Sequence, residues 1–206
     1  MESLVAALAS QLLAWSPAEM VAVATAVLYL LLAIRQNIWC WLSAGISTAI
    51  YVWLFFDARL YMESALNAFY FGMAIYGWYV WSQGGRGEDD LPVTTWPIRA
   101  HVLAIVAVGV LSAGSGFWLE QNTDAAYPYI DSATTFSAIW ATFLVARKVL
   151  ENWYYWLLID VVSIFIYWSR DLELTALLFV LYVIMIPFGI INWTRSWREG
   201  RQANPA

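Results

Sequence analysis

Seven apolar stretches, each about 17 to 25 residues long and almost free of charge, take up most of this 206-residue chain. About 20 residues at 1.5 Å rise cross a hydrocarbon core of about 30 Å, so each stretch is long enough to span a bilayer as a helix. They run approximately over 17–34, 37–56, 60–81, 98–119, 129–147, 152–168 and 174–193. With 62% apolar and 12% charged residues the chain is too greasy for a soluble domain, which is about half apolar and a quarter charged. The expected fold is an all-α membrane protein of seven transmembrane helices.

The connections are short except for two. Residues 82–97 hold Gly84, Gly85 and Gly87 and the acidic run Glu88, Asp89 and Asp90, which reads as a solvated linker. Residues 120–128 are polar and end at Pro128. Before the first span, no basic residue precedes Arg35, so the positive flank of a signal peptide is missing. Leu4, Leu8, Leu12 and Trp15 recur at helical spacing instead, which predicts an amphipathic segment over 1–16 lying on the membrane surface.

Basic residues orient the chain. With the amino terminus outside, Arg35, Arg86, Arg99, Arg147, Lys148, Arg195, Arg198 and Arg201 fall on the cytoplasmic side, and only Arg59 and Arg170 fall outside. That bias predicts a cytoplasmic carboxyl terminus. The outer side then carries mostly acidic residues, among them Glu19, Asp57, Glu120 and Asp131, and draws cations.

The chain also matches itself. At an ungapped offset of 115, Asn37 falls on Asn152, Trp41 on Trp156, Trp53 on Trp168 and Trp78 on Trp193. Helices one to three therefore correspond to helices five to seven, and an odd fourth helix restores the same orientation to both copies. The expected organisation is a first three-helix repeat over 17–81, a linker with the fourth span over 82–128, a second repeat over 129–197 and a cytoplasmic tail over 198–206. Parallel repeats about an axis along the membrane normal are a transporter signature, with the substrate between them. The bland alternative is a duplication kept for packing.

Helix faces point to the site. On the sixth helix Asn152, Trp156, Asp160, Ser163 and Tyr167 form one stripe, and a carboxylate at mid-helix needs a cavity or a partner. The second helix offers Trp41 and Thr48, the third Glu63, Asn67 and Tyr70, the fifth Asp131, Thr135 and Thr142, and the seventh Tyr182 and Asn192. These are the candidate substrate-binding residues. Asn37 and Asn152, near helix starts, read equally well as caps. Trp53, Trp168 and Trp81, near helix ends, read as interface anchors, whereas Trp41, Trp156 and Trp78 suit a stacking wall. Pro187 is expected to kink the last helix.

The runs from Leu60-Tyr61-Met62-Glu63 to Gly77-Trp78-Tyr79-Val80-Trp81, and from Arg147-Lys148-Val149-Leu150-Glu151-Asn152 through Trp156 to Asp160, resemble the PnuC nicotinamide riboside transporter family. The resemblance covers nearly everything after Pro17. It implies a three-plus-one-plus-three fold like that of the SWEET sugar transporters and a homotrimer. It also implies facilitated diffusion of an unphosphorylated vitamin, trapped by a cytoplasmic kinase as functional partner. At Ala138 and Thr142 the chain departs from the riboside pattern on the fifth helix, and thiamine is the alternative substrate.

The residues themselves select the same kind of substrate. Carboxylates and aromatic faces without mid-depth Arg or Lys suit a small flat cation and repel phosphate. The single cysteine, Cys40, makes no disulfide framework or thiolate metal site, and no phosphate loop of the GxxxxGK[ST] form is present, so no cofactor and no ATP-driven step are expected. No nucleic-acid partner is expected. The only lysine, Lys148, lies at a helix end rather than within the last helix, which excludes a retinal photoreceptor, and the lone His101 has no catalytic motif around it. A membrane scaffold subunit without ligand is the alternative of another class.

Overall fold

The computed structural model describes residues 16–59, 61–84, 91–123, 127–169 and 172–203. The amphipathic segment expected over 1–16 lies outside them apart from Ser16, as do Arg86, the acidic run 88–90, Asp124, Arg170 and Asp171. Seven helices form among the described residues: α1 (Pro17–Ile34), α2 (Trp39–Asp57), α3 (Tyr61–Gln83), α4 (Ile98–Asn122), α5 (Pro128–Ala146), α6 (Asn152–Trp168) and α7 (Glu173–Ala203). Four of them, α1, α2, α4 and Glu173–Gln202 of α7, are long and apolar enough to cross a membrane on length and composition alone. Polar and aromatic residues make α3 and α5 less apolar, and α6, at 17 residues, is the shortest of the seven.

Local chemistry sets the helix ends. Ser16 caps α1 with a reciprocal box: its hydroxyl accepts from the Glu19 amide at 3.2 Å, and its own amide donates to Glu19 Oε2 at 2.6 Å. Pro17 occupies the first turn, where its missing N–H costs nothing. At the far ends of α1 and α5 the chain turns through a left-handed residue, Gln36 at φ 55° and Lys148 at φ 49°. Each turn carries the same pair of bonds, Gln36 to Ala33 and Asn37 to Leu32 in one, Lys148 to Val145 and Val149 to Leu144 in the other.

The helices close into a ring. α2 packs between α1 and α3, α6 between α5 and α7, and the two sets meet where α3 packs on α5 and α7 on α1. α4 packs on α5 outside the ring. At one end a chain of tryptophans joins the sets: Trp41 lies edge-on to Trp81 (5.5 Å, 86°), Trp81 contacts Trp193 (6.4 Å), and Trp153 lies edge-on to Trp193 (5.5 Å, 89°). Trp81 Nε1 donates across to the Ala146 carbonyl at 3.1 Å, and Trp193 Nε1 donates back to the Ala33 carbonyl at 2.9 Å.

These matched pairs correct the internal register. Trp41 and Trp153, Trp81 and Trp193, Gln36 and Lys148, and Gly77 and Gly189 are all 112 residues apart, not 115. Gly77 abuts the Trp41 ring as Gly189 abuts that of Trp153. The offset of 115 misplaces every partner by three residues, about 300° on a helix, so it keeps nearly the same face one turn away.

Three further expectations change. Trp81 is not an interface anchor but 5% exposed in the core, while Trp78 faces outward and packs edge-on to Trp39. The linker is solvated only in part over 91–97: Pro92, Thr94, Thr95 and Pro97 are exposed, but Val93 is buried, the Thr94 amide donates to the Lys148 carbonyl at 3.0 Å, and the Leu150 amide donates to that of Thr94 at 2.8 Å. The final helix runs ten residues beyond the span expected to end at Trp193, because Trp197 packs on the core, Gln36 Nε2 donates to Ser196 Oγ at 2.8 Å, and Arg195 pairs with Glu199. Residues 198–203, expected as tail, are helix.

Candidate functional site

The ring encloses a cavity of about 420 Å³. All six ring helices line it and α4 does not: Ala26, Tyr29, Leu30 and Ala33 from α1; Trp41, Ala44, Ser47, Thr48 and Tyr51 from α2; Leu66, Asn67 and Tyr70 from α3; and from α5, Thr134, Thr135, Ala138, Thr142 and Val145. α6 contributes Asn152, Trp153, Trp156, Ile159, Asp160, Ser163 and Tyr167, and α7 adds Phe179, Tyr182 and Ile186. The α6 set recurs every three or four residues, so one stripe of that helix faces the cavity from end to end.

Most hydroxyl and amide donors on the wall are already spent on backbone. Thr48 donates to the Ala44 carbonyl at 2.8 Å, Thr142 to that of Ala138 at 2.8 Å, and Ser47 across to that of Ala22 at 2.8 Å. Asn67 Nδ2 donates to the Glu63 carbonyl at 2.9 Å, and Asn152 Nδ2 to that of Val149 at 2.7 Å. Their oxygens keep the capacity to accept. Asp160, 3% exposed, is the one acidic residue on this wall, and its carboxylate makes no hydrogen bond or ion pair among the described residues. Among the described residues no Lys or Arg lines the cavity. Donors are left chiefly to the tyrosines, since Tyr29, Tyr70 and Tyr182 make no hydrogen bond among the described residues. The wall thus combines one carboxyl group with acceptor oxygens and aromatic faces.

Of the candidates named from sequence, Trp41, Thr48, Asn67, Tyr70, Thr135, Thr142, Asn152, Trp156, Asp160, Ser163 and Tyr182 line this one cavity. Three do not. Glu63 is exposed, one turn before Asn67, to which it offers only its backbone carbonyl. Asp131 sits in the first turn of α5, a full turn beyond the lining set. Asn192 is exposed at the outer face of α7, 3.5 Å from Gln36 Nε2. Trp78 is likewise off the wall.

The sequence reading missed Tyr29, Ser47, Tyr51, Trp153 and Phe179. Tyr29 had a signal, as the one aromatic in an otherwise aliphatic α1. Trp153 follows from Trp41 once the offset is 112. With that offset the asymmetry is plain: Asp160 corresponds to Thr48, Trp156 to Ala44, and Tyr182 to Tyr70. The carboxyl group and the unmatched tryptophan sit in the second half, on α6.

Comparison with known proteins gives the same picture. The chain is 26% identical to the riboflavin/roseoflavin transporter RibM of Streptomyces davaonensis, over 91% of this chain and 88% of that protein. It is 25% identical to the nicotinamide riboside transporter PnuC of Escherichia coli, over 75% of each chain. The crystal structure of the vitamin B3 transporter PnuC superposes with a TM-score of 0.69 at 22% identity, over 88% of this chain and 82% of that one, which shows a shared fold. Residues 16–195 match the model of the nicotinamide mononucleotide transporter family. The chain belongs to that family of membrane transporters, which includes the PnuC proteins and is not a family of enzymes.

Proposed function

We propose that this protein carries nicotinamide riboside across the bacterial inner membrane by facilitated diffusion. The observation that supports this reading is the unpaired Asp160 carboxylate in an aromatic, acceptor-rich cavity without Lys or Arg. A flat pyridinium gains charge attraction from Asp160 and stacking from Trp156, and its ribose hydroxyls meet the Thr and Asn oxygens. The family description names the mononucleotide, but a phosphate would find no cation on this wall. Thiamine, also a flat cation, fits the same chemistry. The second reading is riboflavin, a neutral flat vitamin, favoured by the similarity to RibM.

In this reading seven helices cross the membrane as two parallel three-helix repeats, 17–81 and 129–197, joined by α4. The amino terminus is outside and the carboxyl terminus cytoplasmic, as the basic residues indicate. A homotrimer and trapping by a cytoplasmic kinase follow from the family resemblance.

Calorimetric binding of nicotinamide riboside, thiamine and riboflavin to purified protein, with uptake into proteoliposomes, tests the substrate. At an effective dielectric near 20, opposite charges about 4 Å apart attract by about 4 kcal/mol before desolvation is subtracted. Asp160→Asn should therefore weaken the cation at least about tenfold, or about 1.4 kcal/mol, and leave neutral riboflavin within about threefold. Tighter binding of riboflavin, unaffected by Asp160→Asn, would establish the second reading.

A further inference from the structure

We infer that Trp41, Trp81, Trp153 and Trp193 form the gate at the end of the cavity where α2 and α6 begin, and that the gate is held by two of its indole N–H groups and loosened by the other two. The inference rests on the cavity being the transport site proposed above. All four side chains are 5% exposed or less. Trp41 and Trp153 form the cavity wall at this end, with Trp81 and Trp193 edge-on to them. A substrate leaving in this direction has to part the two halves at these rings.

The four indoles divide into two kinds. Trp81 and Trp193 each donate across the divide, to a carbonyl in the last turn of the first helix of the other half. Trp41 and Trp153 are as deeply buried, yet neither Nε1 has a partner among the described residues. A buried donor without a partner carries its full desolvation cost, which the closed gate bears twice. Opening breaks two bonds but returns two orphaned donors to water or ligand. Losses and gains offset each other, so closed and open gates lie close in free energy, as a carrier without an energy source requires for rapid turnover.

Two Trp→Phe pairs test this, since phenylalanine keeps an aromatic face and removes only the donor and part of the ring. In a Cys40→Ala background, Val145→Cys places a reporter thiol on the cavity wall at this end, where Val145 is 3% exposed. Its alkylation by an impermeant maleimide is followed without ligand in sealed vesicles of both orientations. Trp81→Phe/Trp193→Phe should raise the rate from the gate side about tenfold, since two net hydrogen bonds are lost. Trp41→Phe/Trp153→Phe should lower it about fivefold or more and raise the melting temperature, because two unpaired donors leave the closed state. Loss of packing alone would raise the rate in both pairs, so rates moving in the same direction, or not moving, overturn the inference. If the first pair fails to fold, the second decides alone: a rate at or above the parent overturns it. Protection of the reporter by nicotinamide riboside or riboflavin is a separate arm. Opposed rates without protection by either vitamin would support the gate and count against the transport-site reading.

Discussion

Gly77 and Gly189 are where the ring tolerates no side chain, and alanine there has a calculable cost. A Cβ built on Gly77 falls on Cδ2, Cε2 and Cζ2 of Trp41, and one built on Gly189 on the far edge of the Trp153 ring, both well under the 3.0 Å that real Cβ atoms keep. Ordinary contact begins at 3.4 Å, so each indole must retreat by about 1 Å. Neither has room, because Tyr29 and Trp81 flank Trp41 and Trp193 flanks Trp153. Overpacking of a rigid ring system costs about 2–3 kcal/mol, against which alanine gains about 1 kcal/mol over glycine in a helix. The net loss is about 1–2 kcal/mol, or roughly 2–8 °C in melting temperature for a chain of this size. Gly72 and Gly109, with nothing within 4 Å of the same Cβ, serve as controls and should gain slightly. Thermal unfolding of the purified variants in detergent gives the comparison. A Gly77→Ala protein that melts at or above the parent, alongside unchanged controls, would refute the tight contact and the gate packing with it.

Other changes have equally definite outcomes. Ser16→Ala breaks the reciprocal cap of α1 and should cost about 1 kcal/mol, read as a lower melting temperature. Arg59→Gly should stabilise by about 0.5–1 kcal/mol, since Arg59 is exposed at φ 61° and glycine removes the left-handed strain. Trp156→Ala should weaken any flat vitamin by about 1–3 kcal/mol in titration, by analogy with base stacking, whereas Trp78→Ala, off the cavity wall, should leave affinity unchanged.

How much of this was legible in the sequence depends on the range of the interaction that sets each feature. α1 and α6 begin and end where expected, because Ser16 with Pro17 and the sequence around Asn152 and Trp168 mark their ends locally. The stripe of Asn152, Trp156, Asp160 and Ser163 was equally local, since helical periodicity alone aligns it. Trp78 and Trp81 were assigned the wrong way round because proximity to a helix end is visible, whereas the Ala146 carbonyl that receives the Trp81 indole lies 65 residues away. The repeat register slipped by three because a chain with 14 tryptophans supplies chance matches one turn from the true ones. The added turns of α7 meet partners distant in sequence, among them Gln36, which reaches Ser196 across 160 positions. Glu63 and Asp131 shared a helix face with cavity residues but lie past the end of the cavity, a depth that periodicity does not encode.

The crossed indole bonds also bear on how such a chain could be divided. Trp81 donates to the second half and Trp193 to the first, so neither half alone contains both the donor and the acceptor of either bond. A fragment ending after α3 would leave its Trp81 indole searching for a carbonyl at the end of another fragment's first helix. Two copies of one half could supply that to each other, and two different halves, co-expressed as separate polypeptides and broken in the segment before Leu91, could reassemble through the same exchange. The tryptophans would then hold the separate halves together alongside the packing of α3 on α5 and of α7 on α1.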